Sequence, residues 1–281
     1  MAALAPFTGH ARVIGLTGSP GVGKSTITSA IVRALRDRQE RVGVLAIDPS
    51  SPFSGGALLG DRIRMQEHAL DPGVYIRSMA SRGHLGGLSW ATPQAIRVLD
   101  AAGCDDVLIE TVGVGQSEVE IASHADTTVV LLAPGMGDGI QAAKAGILEI
   151  GDIFVVNKAD RDGADATVRD LRHMISLGER REAGDWRPPV LKTIASTGEG
   201  IAEVVQAMAD HFAWAERTGA LHTGRLRRAA NEVETIALTS LRERIGDLRD
   251  GRRMDQLAAA VVDGSTDPYA AADRLLSDLT A

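Results

Sequence analysis

Residues 12–26 of this 281-residue chain have the sequence RVIGLTGSPGVGKST. Its first six residues form an apolar run typical of a buried strand, and residues 18–25 match G-x-x-x-x-G-K-[ST] at every defined position. Such a loop between a strand and a helix turns successive backbone N–H groups toward phosphate, with the positive end of the helix behind them. The stretch therefore predicts a nucleotide-binding loop.

Two side chains at the end of this loop have specific predicted roles. We expect the ammonium of Lys24 to reach the β- and γ-phosphates and to act in catalysis, and the hydroxyl of Ser25 to be a ligand of Mg²⁺. The residues predicted to surround the phosphates are Gly18, Ser19, Pro20, Gly21, Val22, Gly23, Lys24, Ser25 and Thr26.

Outward from the loop, short Val-, Ile- and Leu-rich runs alternate with segments of helical period as far as about residue 215. Because this alternation is typical of βαβ units, we predict an α/β fold with a mostly parallel sheet flanked by helices, as in P-loop NTPases. Strands are expected near residues 12–17, 42–47, 74–79, 106–110, 128–133, 153–157 and 190–193. Helices are expected near residues 24–39, 92–102, 141–150, 166–177 and 201–216.

The C-terminal part has a different pattern. An apolar stripe of helical period predicts an amphipathic helix, and its members are Val233, Ile236, Leu241, Ile245 and Leu248. Further helices are expected near residues 254–262 and from Pro268, since proline is favoured at the first helical position. We therefore predict a nucleotide-binding domain over residues 1–218 and a helical arm over 219–281. Periodicity alone leaves open whether the arm caps its own subunit or joins two subunits.

Composition excludes several classes of protein. With 44% hydrophobic and 24% charged residues the chain is typical of a globular protein, and its net charge of −7 argues against sequence-independent binding to nucleic acid. The single cysteine, Cys104, cannot close an internal disulfide, and no zinc-finger spacing is present. No apolar run of about 20 residues and no secretory leader pattern is found, so we expect a cytoplasmic protein that binds no membrane.

The tetrapeptide NKAD, residues 157–160, follows a strongly apolar run and matches the N-K-x-D pattern that binds guanine in GTPases. A carboxylate can accept hydrogen bonds from the ring N–H and the exocyclic amine of guanine, whereas adenine offers no such donor pair. The pattern therefore favours GTP over ATP, with Asn157, Lys158 and Asp160 as base-binding residues. The segment that we expect to complete the base pocket comprises Ala195, Ser196 and Thr197.

Three carboxylates are candidate magnesium ligands: Asp48 at the end of the second predicted strand, Asp61 in the loop that follows it, and Glu110 at the end of the fourth strand. Magnesium prefers such hard oxygen donors, often through water. Residues 110–113 resemble the D-x-x-G motif of GTPases with glutamate in first place, so the backbone N–H of Gly113 is expected to bond the γ-phosphate. A turn aspartate and a helix N-cap remain alternatives for Asp48 and Asp61.

Val114 stands where Ras-type enzymes carry the glutamine that orients the attacking water. We therefore expect slow intrinsic hydrolysis that a partner or second subunit accelerates. Gln116 and Lys144 are candidates to assist catalysis, the alternatives being a solvated loop residue and a lysine on a helix surface.

On these residues the chain resembles the MeaB-type GTPases, the methylmalonyl-CoA mutase-associated family within the SIMIBI class of P-loop GTPases. The matching blocks are GLTGSPGVGKST (15–26), DPSSPFSGGALLGDRIRM (48–65), RGHLGGLS (82–89), ETVGVGQSE (110–118), NKAD (157–160) and TGEGI (197–201). The resemblance implies a homodimeric G-protein chaperone, with GTP or GDP and Mg²⁺, that assists an adenosylcobalamin-dependent acyl-CoA mutase. It also implies magnesium roles for the three carboxylates and dimer contacts through the C-terminal helices.

The resemblance has one departure and leaves alternatives. Family members usually carry a helical extension before the first strand, whereas about ten residues precede it here. Residues 133–144 are interpreted either as a nucleotide-responsive switch, with Asp138 and Lys144 changing partners, or as a plain flexible turn. A nickel metallochaperone GTPase would need a His-rich tract or paired Cys/His ligands, and a GTP-dependent kinase is a further alternative.

Overall fold

A computed structural model describes residues 1–48, 65–80, 91–111, 120–135, 146–177, 184–249 and 252–278. The chain forms two compact units, residues 1–223 and 224–281.

The strands are β1 Arg12–Thr17, β2 Val42–Asp48, β3 Val74–Ala80, β4 Asp106–Thr111, β5 Thr127–Leu132, β6 Ile153–Asn157 and β7 Val190–Thr193. The α-helices are α1 Lys24–Asp37, α2 Thr92–Ala101, α3 Ile147–Ile150, α4 Ala164–Ser176, α5 Ile201–Thr218, α6 Ala220–Arg249, α7 Arg252–Val262 and α8 Pro268–Asp278. Short 3₁₀ helices span Ala2–Phe7, Gln66–His68 and Ile121–Ser123.

The first unit is built on one seven-stranded sheet with the order β3-β2-β4-β1-β5-β6-β7. Each pairing between neighbouring strands is parallel, so the predicted α/β fold is confirmed. Strands β4, β2 and β3 lie on one side of β1, and strands β5, β6 and β7 lie on the other. In open α/β sheets, ligands bind where the strand order changes direction in this way, beyond the carboxyl ends of the strands.

Helices cover both faces of the sheet, which is why its central strands read as continuous apolar runs. Every residue of β4, β5 and β6 is buried. The largest hydrophobic cluster joins α1 and α5 to the sheet through residues such as Leu16, Ile31 and Val204. A second cluster includes Leu99 of α2 and Ile109 of β4, and a third includes Leu171 of α4 and Phe154 of β6.

Predicted helix ends differ from the observed ends where local conformation intervenes. The first helix was expected to reach residue 39, but it ends at Asp37, with Arg38 as its C-cap and Gln39 in the left-handed region at φ 65°. The last helix begins at Pro268 as predicted, because the Asp267 carboxylate accepts the backbone N–H groups of Tyr269 and Ala270 at 2.9 and 3.1 Å.

The predicted domain boundary after residue 218 stays a prediction. Helix α5 ends at Thr218, and Gly219 is its left-handed C-cap at φ 78°. In the second unit, α7 and α8 share a small hydrophobic cluster of Leu257, Ala271 and Leu275. None of the helices in the described ranges is both long enough and apolar enough to cross a membrane.

Aromatic side chains gather at the amino-terminal edge of the sheet, near the first residue of β5. The ring of His211 on α5 lies 4.9 Å from that of Trp186 and is stacked 5.6 Å from that of Trp214, measured between centroids. His211 Nδ1 is 2.8 Å from the hydroxyl of Thr127, and Trp186 Nε1 donates to the carbonyl of Asp152 at 2.7 Å. These contacts fasten α5 and the segment before β7 to this edge.

The same edge carries a buried carboxyl group with a perturbed pKa. Arg12 donates to both oxygens of Asp106 at 2.8 and 2.6 Å and to Glu40 at 2.7 Å. Burial raises the pKa of Asp106 to about 7; the nearby carboxylate of Glu40 adds to this increase, and Arg12 opposes it. Two carboxyl groups therefore share one guanidinium here.

This cluster predicts how stability depends on pH. Because the pKa of Asp106 is raised on folding, the folded state binds the extra proton, so Asp106 lowers the free energy of unfolding progressively as the pH rises from about 4 to about 7. The variant Glu40→Gln removes the neighbouring negative charge, so its free energy of unfolding should fall less over that range. Urea titrations of both proteins at pH 5 and pH 8 measure the difference, and equal falls would contradict it.

Candidate nucleotide-binding site

The phosphate loop connects β1 to α1 at the carboxyl edge of the sheet. Gly18 has φ 141°, and a Cβ atom there would lie 2.2 Å from the carbonyl oxygen of Leu131 in β5. Gly23 has φ 95°, and a Cβ atom there would lie 2.6 Å from Nδ2 of Asn157. Glycine is therefore needed at both positions, because the loop lies directly against β5 and the end of β6.

Lys24 and Ser25, the first two residues of α1, are 7% and 5% exposed. The ammonium of Lys24 donates to the carbonyls of Gly18 and Ser19, the latter at 3.1 Å. The ammonium of Lys24 therefore lies against the loop backbone, where it would add a positive charge to the phosphate-binding N–H groups. The phosphate role of Lys24 stays a prediction.

Ser25 also contacts the predicted magnesium ligand Glu110. Its hydroxyl donates to Oε1 of Glu110 at 2.7 Å, and Glu110 is 3% exposed at the end of β4. A hydroxyl and a buried carboxylate at this distance are hard oxygen donors that fit Mg²⁺. Among the residues with described placement, no group of three or more His, Cys, Asp or Glu side chains could hold a metal ion.

The other acidic candidates are only partly located. Asp48 is the last residue of β2, which pairs with β4 so that Ala46 lies opposite Glu110. The two strands thus end side by side, as the sequence predicts for a shared site. The remaining predicted residues lie outside the described ranges: Asp61, Gly113, Gln116 and Lys144. Most of the hypothesised switch, residues 136–144, also lies outside them.

The predicted base-binding residues come together around Asn157. This side chain is 2% exposed; its Nδ2 donates to the carbonyl of Val22 at 2.8 Å. Its Oδ1 accepts from the hydroxyl of Thr193 and from the backbone N–H of Ala195, both at 3.1 Å. One amide thus joins the phosphate loop, the end of β6 and the loop after β7.

The residues that follow Asn157 include an exposed carboxylate, that of Asp160. Lys158 adopts φ 58°, and its ammonium donates to the carbonyl of Gly21 at 2.6 Å. Asp160 is exposed in the turn that follows, and Ser196 and Thr197 are exposed in the loop after β7. An exposed carboxylate at this position can accept two hydrogen bonds from a guanine edge.

Comparison with known proteins decides the family. The family model described as "Methylmalonyl Co-A mutase-associated GTPase MeaB" matches residues 1–249. The chain belongs to this family. The expected resemblance is therefore confirmed, and this MeaB-family protein is a GTPase that binds guanine nucleotide.

Individual relatives agree with this assignment. A relative from Pyrococcus abyssi is 48% identical over 276 residues, which cover 98% of this chain and 85% of the relative. The mouse mitochondrial methylmalonic aciduria type A homolog is 43% identical over 197 residues, 69% of this chain and 48% of that protein. Among solved structures, an LAO/AO transport system kinase is similar over 100% of this chain and 85% of its own, with 28% identity and a TM-score of 0.68.

Sequence reasoning about this MeaB-family GTPase missed how its nucleotide loops are held together. Thr193 was not singled out, although it is 1% exposed and its hydroxyl orients Asn157. Gly200, at φ 78°, was included in the TGEGI block but given no structural role; a Cβ atom there would lie 2.1 Å from the carbonyl oxygen of Lys192. A signal was available in the sequence, since a threonine ends β7 and the pattern TGEG follows it closely.

The contacts of Asn157 predict a combined loss of stability and affinity. In Asn157→Ala, three hydrogen bonds are removed and the buried donors and acceptor are left without this partner, which costs about 1–3 kcal/mol for each unsatisfied group. We expect the melting temperature to fall and GTP to bind at least about tenfold more weakly. Calorimetric melting and GTP titration measure both. The matched control is Asn231→Ala on α6, and a variant with wild-type GTP affinity would contradict the bridging role.

Proposed function

We propose that this MeaB-family GTPase is a GTP-hydrolysing chaperone that assists an adenosylcobalamin-dependent acyl-CoA mutase in loading, protecting and reactivating its cofactor. The family description, which names methylmalonyl-CoA mutase, supports this function. The mouse relative named for methylmalonic aciduria supports it further. Within the chain itself, the contacts of Asn157 best support the GTP-dependent part of the proposed function. They join the phosphate loop to the loop that is predicted to bind guanine.

In this proposal the described residues divide the work on GTP. The backbone N–H groups of residues 18–26 other than Pro20 hold the phosphates, and Lys24 places a positive charge against the β- and γ-phosphates. Asp160 accepts from guanine beside Asn157 and Lys158, with Ala195 to Thr197 closing the base pocket.

The acidic and serine side chains would hold a magnesium ion. Ser25 and Glu110, 2.7 Å apart, are the described donors, and Asp48 and Asp61 complete the proposed set. When bound, Mg²⁺ neutralises negative charge on the phosphates. Glu110 also accepts the hydrogen bond of the Ser25 hydroxyl, which fixes the orientation of that group.

Hydrolysis is proposed to be slow until a partner binds, because Val114 offers no hydrogen bond to an attacking water. Gly113 would bond the γ-phosphate through its backbone N–H, and Gln116 and Lys144 are the candidates to assist. Rates of phosphate release with and without a purified mutase test this. A fast rate for the isolated protein would contradict the need for a partner.

The arm is proposed to form a homodimer with a second copy of this chain. Along α6, apolar side chains are 44–68% exposed in the single chain, namely Leu226, Val233, Ile236, Leu238 and Leu241. A helix with such a face is normally covered by another element. Sedimentation equilibrium should give a dimer, and Val233→Asp should weaken it; a monomeric wild-type protein would contradict the proposal.

The chaperone function is tested by capture of its partner. The full-length protein, loaded with a non-hydrolysable GTP analogue, is mixed with purified adenosylcobalamin-dependent mutases, and binding is measured by calorimetry. We expect binding to one such mutase that depends on the nucleotide. Intact GTP binding with no affinity for any of these mutases would leave a GTPase without the chaperone role.

A second candidate function is phosphate transfer from GTP to an acceptor other than water. It is favoured by the structural similarity to a protein described as an LAO/AO transport system kinase. GTP labelled on its γ-phosphate and incubated with cell extract distinguishes the two candidate functions, since a kinase transfers the label to a metabolite or protein. Release of the label only as inorganic phosphate would exclude this candidate.

The predicted alternative of a nickel metallochaperone can be tested by measuring nickel binding.

A further inference from the structure

The edge strand β3 carries a serine near its carboxyl end that the proposed function does not use. The hydroxyl oxygen of Ser78 is buried, and within the ranges that the structure describes it has no hydrogen-bond partner. Buried polar groups in proteins are normally hydrogen-bonded to the protein, to an ordered water or to an ion. The hydroxyl of Ser78 therefore indicates a polar partner that the described chain does not supply.

Ser78 lies on the face of the sheet that packs against α1. Successive side chains of a strand point to opposite faces, so every second residue shares a face. Val74 and Ile76 of β3 pack against the largest hydrophobic cluster, which joins α1 to the sheet. Met79 packs against the second cluster, on the other face. Ser78 continues the series of Val74 and Ile76, so it shares their face.

The strand register places Ser78 level with the proposed magnesium ligand Glu110. In β2, Ala46 is paired with Ser78 of β3 on one side and with Glu110 of β4 on the other. Ala46 lies on the same face as both, since Val44, two residues earlier, belongs to the largest cluster. Neighbouring strands are about 4.8 Å apart, so the backbones of β3 and β4 are separated by about 10 Å at this level. The side chain between them is a methyl group, and a bridging water can connect a hydroxyl and a carboxylate across it.

Helix α1 brings a further oxygen to this face of the sheet. The hydroxyl of Ser25 donates to Oε1 of Glu110 at 2.7 Å. One turn farther along α1, the hydroxyl of Ser29 donates to Glu67, which lies in the segment that leads into β3. The same helix therefore contacts the strand that carries Glu110 and the approach to the strand that carries Ser78. Two hydroxyls and one carboxylate, all hard oxygen donors, lie on one face near the carboxyl edge.

We propose that Ser78 is a positioning residue of the magnesium site and that its hydroxyl holds a water molecule of the bound ion. Magnesium keeps several of its waters when it binds to a protein, so side chains also contact it through water. Such outer contacts orient the ligands of a metal and raise its affinity. A serine hydroxyl can donate one hydrogen bond and accept others, which suits it to hold a water beside a carboxylate. The inference rests on the proposed magnesium roles of Ser25 and Glu110.

The test compares Ser78→Ala with wild type, both as complexes of the full chain with GDP. The measured quantity is the dissociation constant of Mn²⁺, which prefers the same oxygen ligands as Mg²⁺ and whose free ion is counted by its electron paramagnetic resonance signal. We expect this constant to rise about tenfold, as is typical when a residue that supports a metal ligand is lost. The affinity for GDP in excess EDTA should not change, because the phosphate loop and the base loop are untouched. Ser78→Thr keeps the hydroxyl and should restore most of the affinity for Mn²⁺.

The matched control is Thr92→Val. Thr92 begins α2, is 0% exposed, and its hydroxyl also has no hydrogen-bond partner among the described residues. Helix α2 packs on the other face of the sheet through Ala95 and Ile96, so this variant should bind Mn²⁺ like wild type. Both substitutions remove a buried hydroxyl without a partner, so neither should lower the melting temperature of the metal-free protein. Added Mg²⁺ should raise the melting temperature of the GDP complex less in Ser78→Ala than in the other two proteins.

The outcomes separate this inference from the proposed function. If the GDP complex of wild type binds Mn²⁺ no more tightly than free GDP does, the proposed metal site fails, and the inference about Ser78 fails with it. If wild type binds the ion and Ser78→Ala binds it equally well, the metal site stands and the inference is overturned. A loss of GDP affinity in EDTA would also overturn it, because Ser78 would then act on the nucleotide. An equal loss of Mn²⁺ affinity in Thr92→Val would overturn it too, as a general effect of buried hydroxyls.

Discussion

Lys24→Met is expected to lower kcat for GTP hydrolysis by about 100- to 1,000-fold, the usual cost of removing one group that stabilises developing charge. Methionine keeps an unbranched side chain of similar length, so the first turn of α1 should stay intact. What is lost is a buried ammonium within hydrogen-bonding distance of the carbonyls of Gly18 and Ser19. Single-turnover phosphate release at saturating GTP measures the effect directly.

The matched control for this experiment is Lys192→Met. Lys192 lies near the carboxyl edge of the sheet on β7, but its side chain is 53% exposed and pairs with Asp165. The loss of such an exposed pair is worth little, so hydrolysis should continue at the wild-type rate. A Lys24→Met protein that hydrolyses GTP as fast as this control would remove Lys24 from the proposed site.

Asp160→Asn is expected to change which purine the protein binds. Each hydrogen bond to a charged group is worth about 1.5–3 kcal/mol, so losing the carboxylate that accepts two donors from guanine should weaken GTP binding at least about 100-fold. Xanthine carries a carbonyl where guanine carries its amine, and the asparagine amide can donate to that oxygen. We therefore expect xanthosine triphosphate to bind the variant more tightly than GTP does.

The control is Asp162→Asn, because Asp162 is exposed and lies two residues farther along the same turn. Its affinity for GTP should match that of wild type in a competition assay with both nucleotides. Equal preference of wild type for ATP and GTP, or unchanged GTP affinity in Asp160→Asn, would contradict the base-recognition part of the site.

Much of the fold could be predicted because the chemistry of a parallel sheet is local in sequence. Strands such as β5 and β6 are buried along their whole length, so they appear as short apolar runs without alternation. The phosphate loop was equally visible, since two of its glycines, Gly18 and Gly23, are required by close contacts with Leu131 and Asn157. At these positions the sequence pattern coincides with a place where the backbone allows only glycine.

The contacts that hold the site together could not be predicted because their partners are far apart in the chain. Asn157 donates to Val22, 135 positions away, and Ser29 donates to Glu67, 38 positions away. Neither pair has a spacing that a periodic pattern can express. The left-handed conformation of Gln39, which ends α1 early, was hidden for another reason: most residues other than glycine avoid that region.

The aromatic group around His211 gives this protein a built-in optical probe. Two of its three tryptophans, Trp186 and Trp214, flank one imidazole ring beside the first residue of β5. The phosphate loop lies beyond the opposite end of the strands, about 20 Å away for a strand of six residues. Indole emission can therefore follow the loosening of α5 from the sheet during denaturation, separately from the occupancy of the nucleotide site.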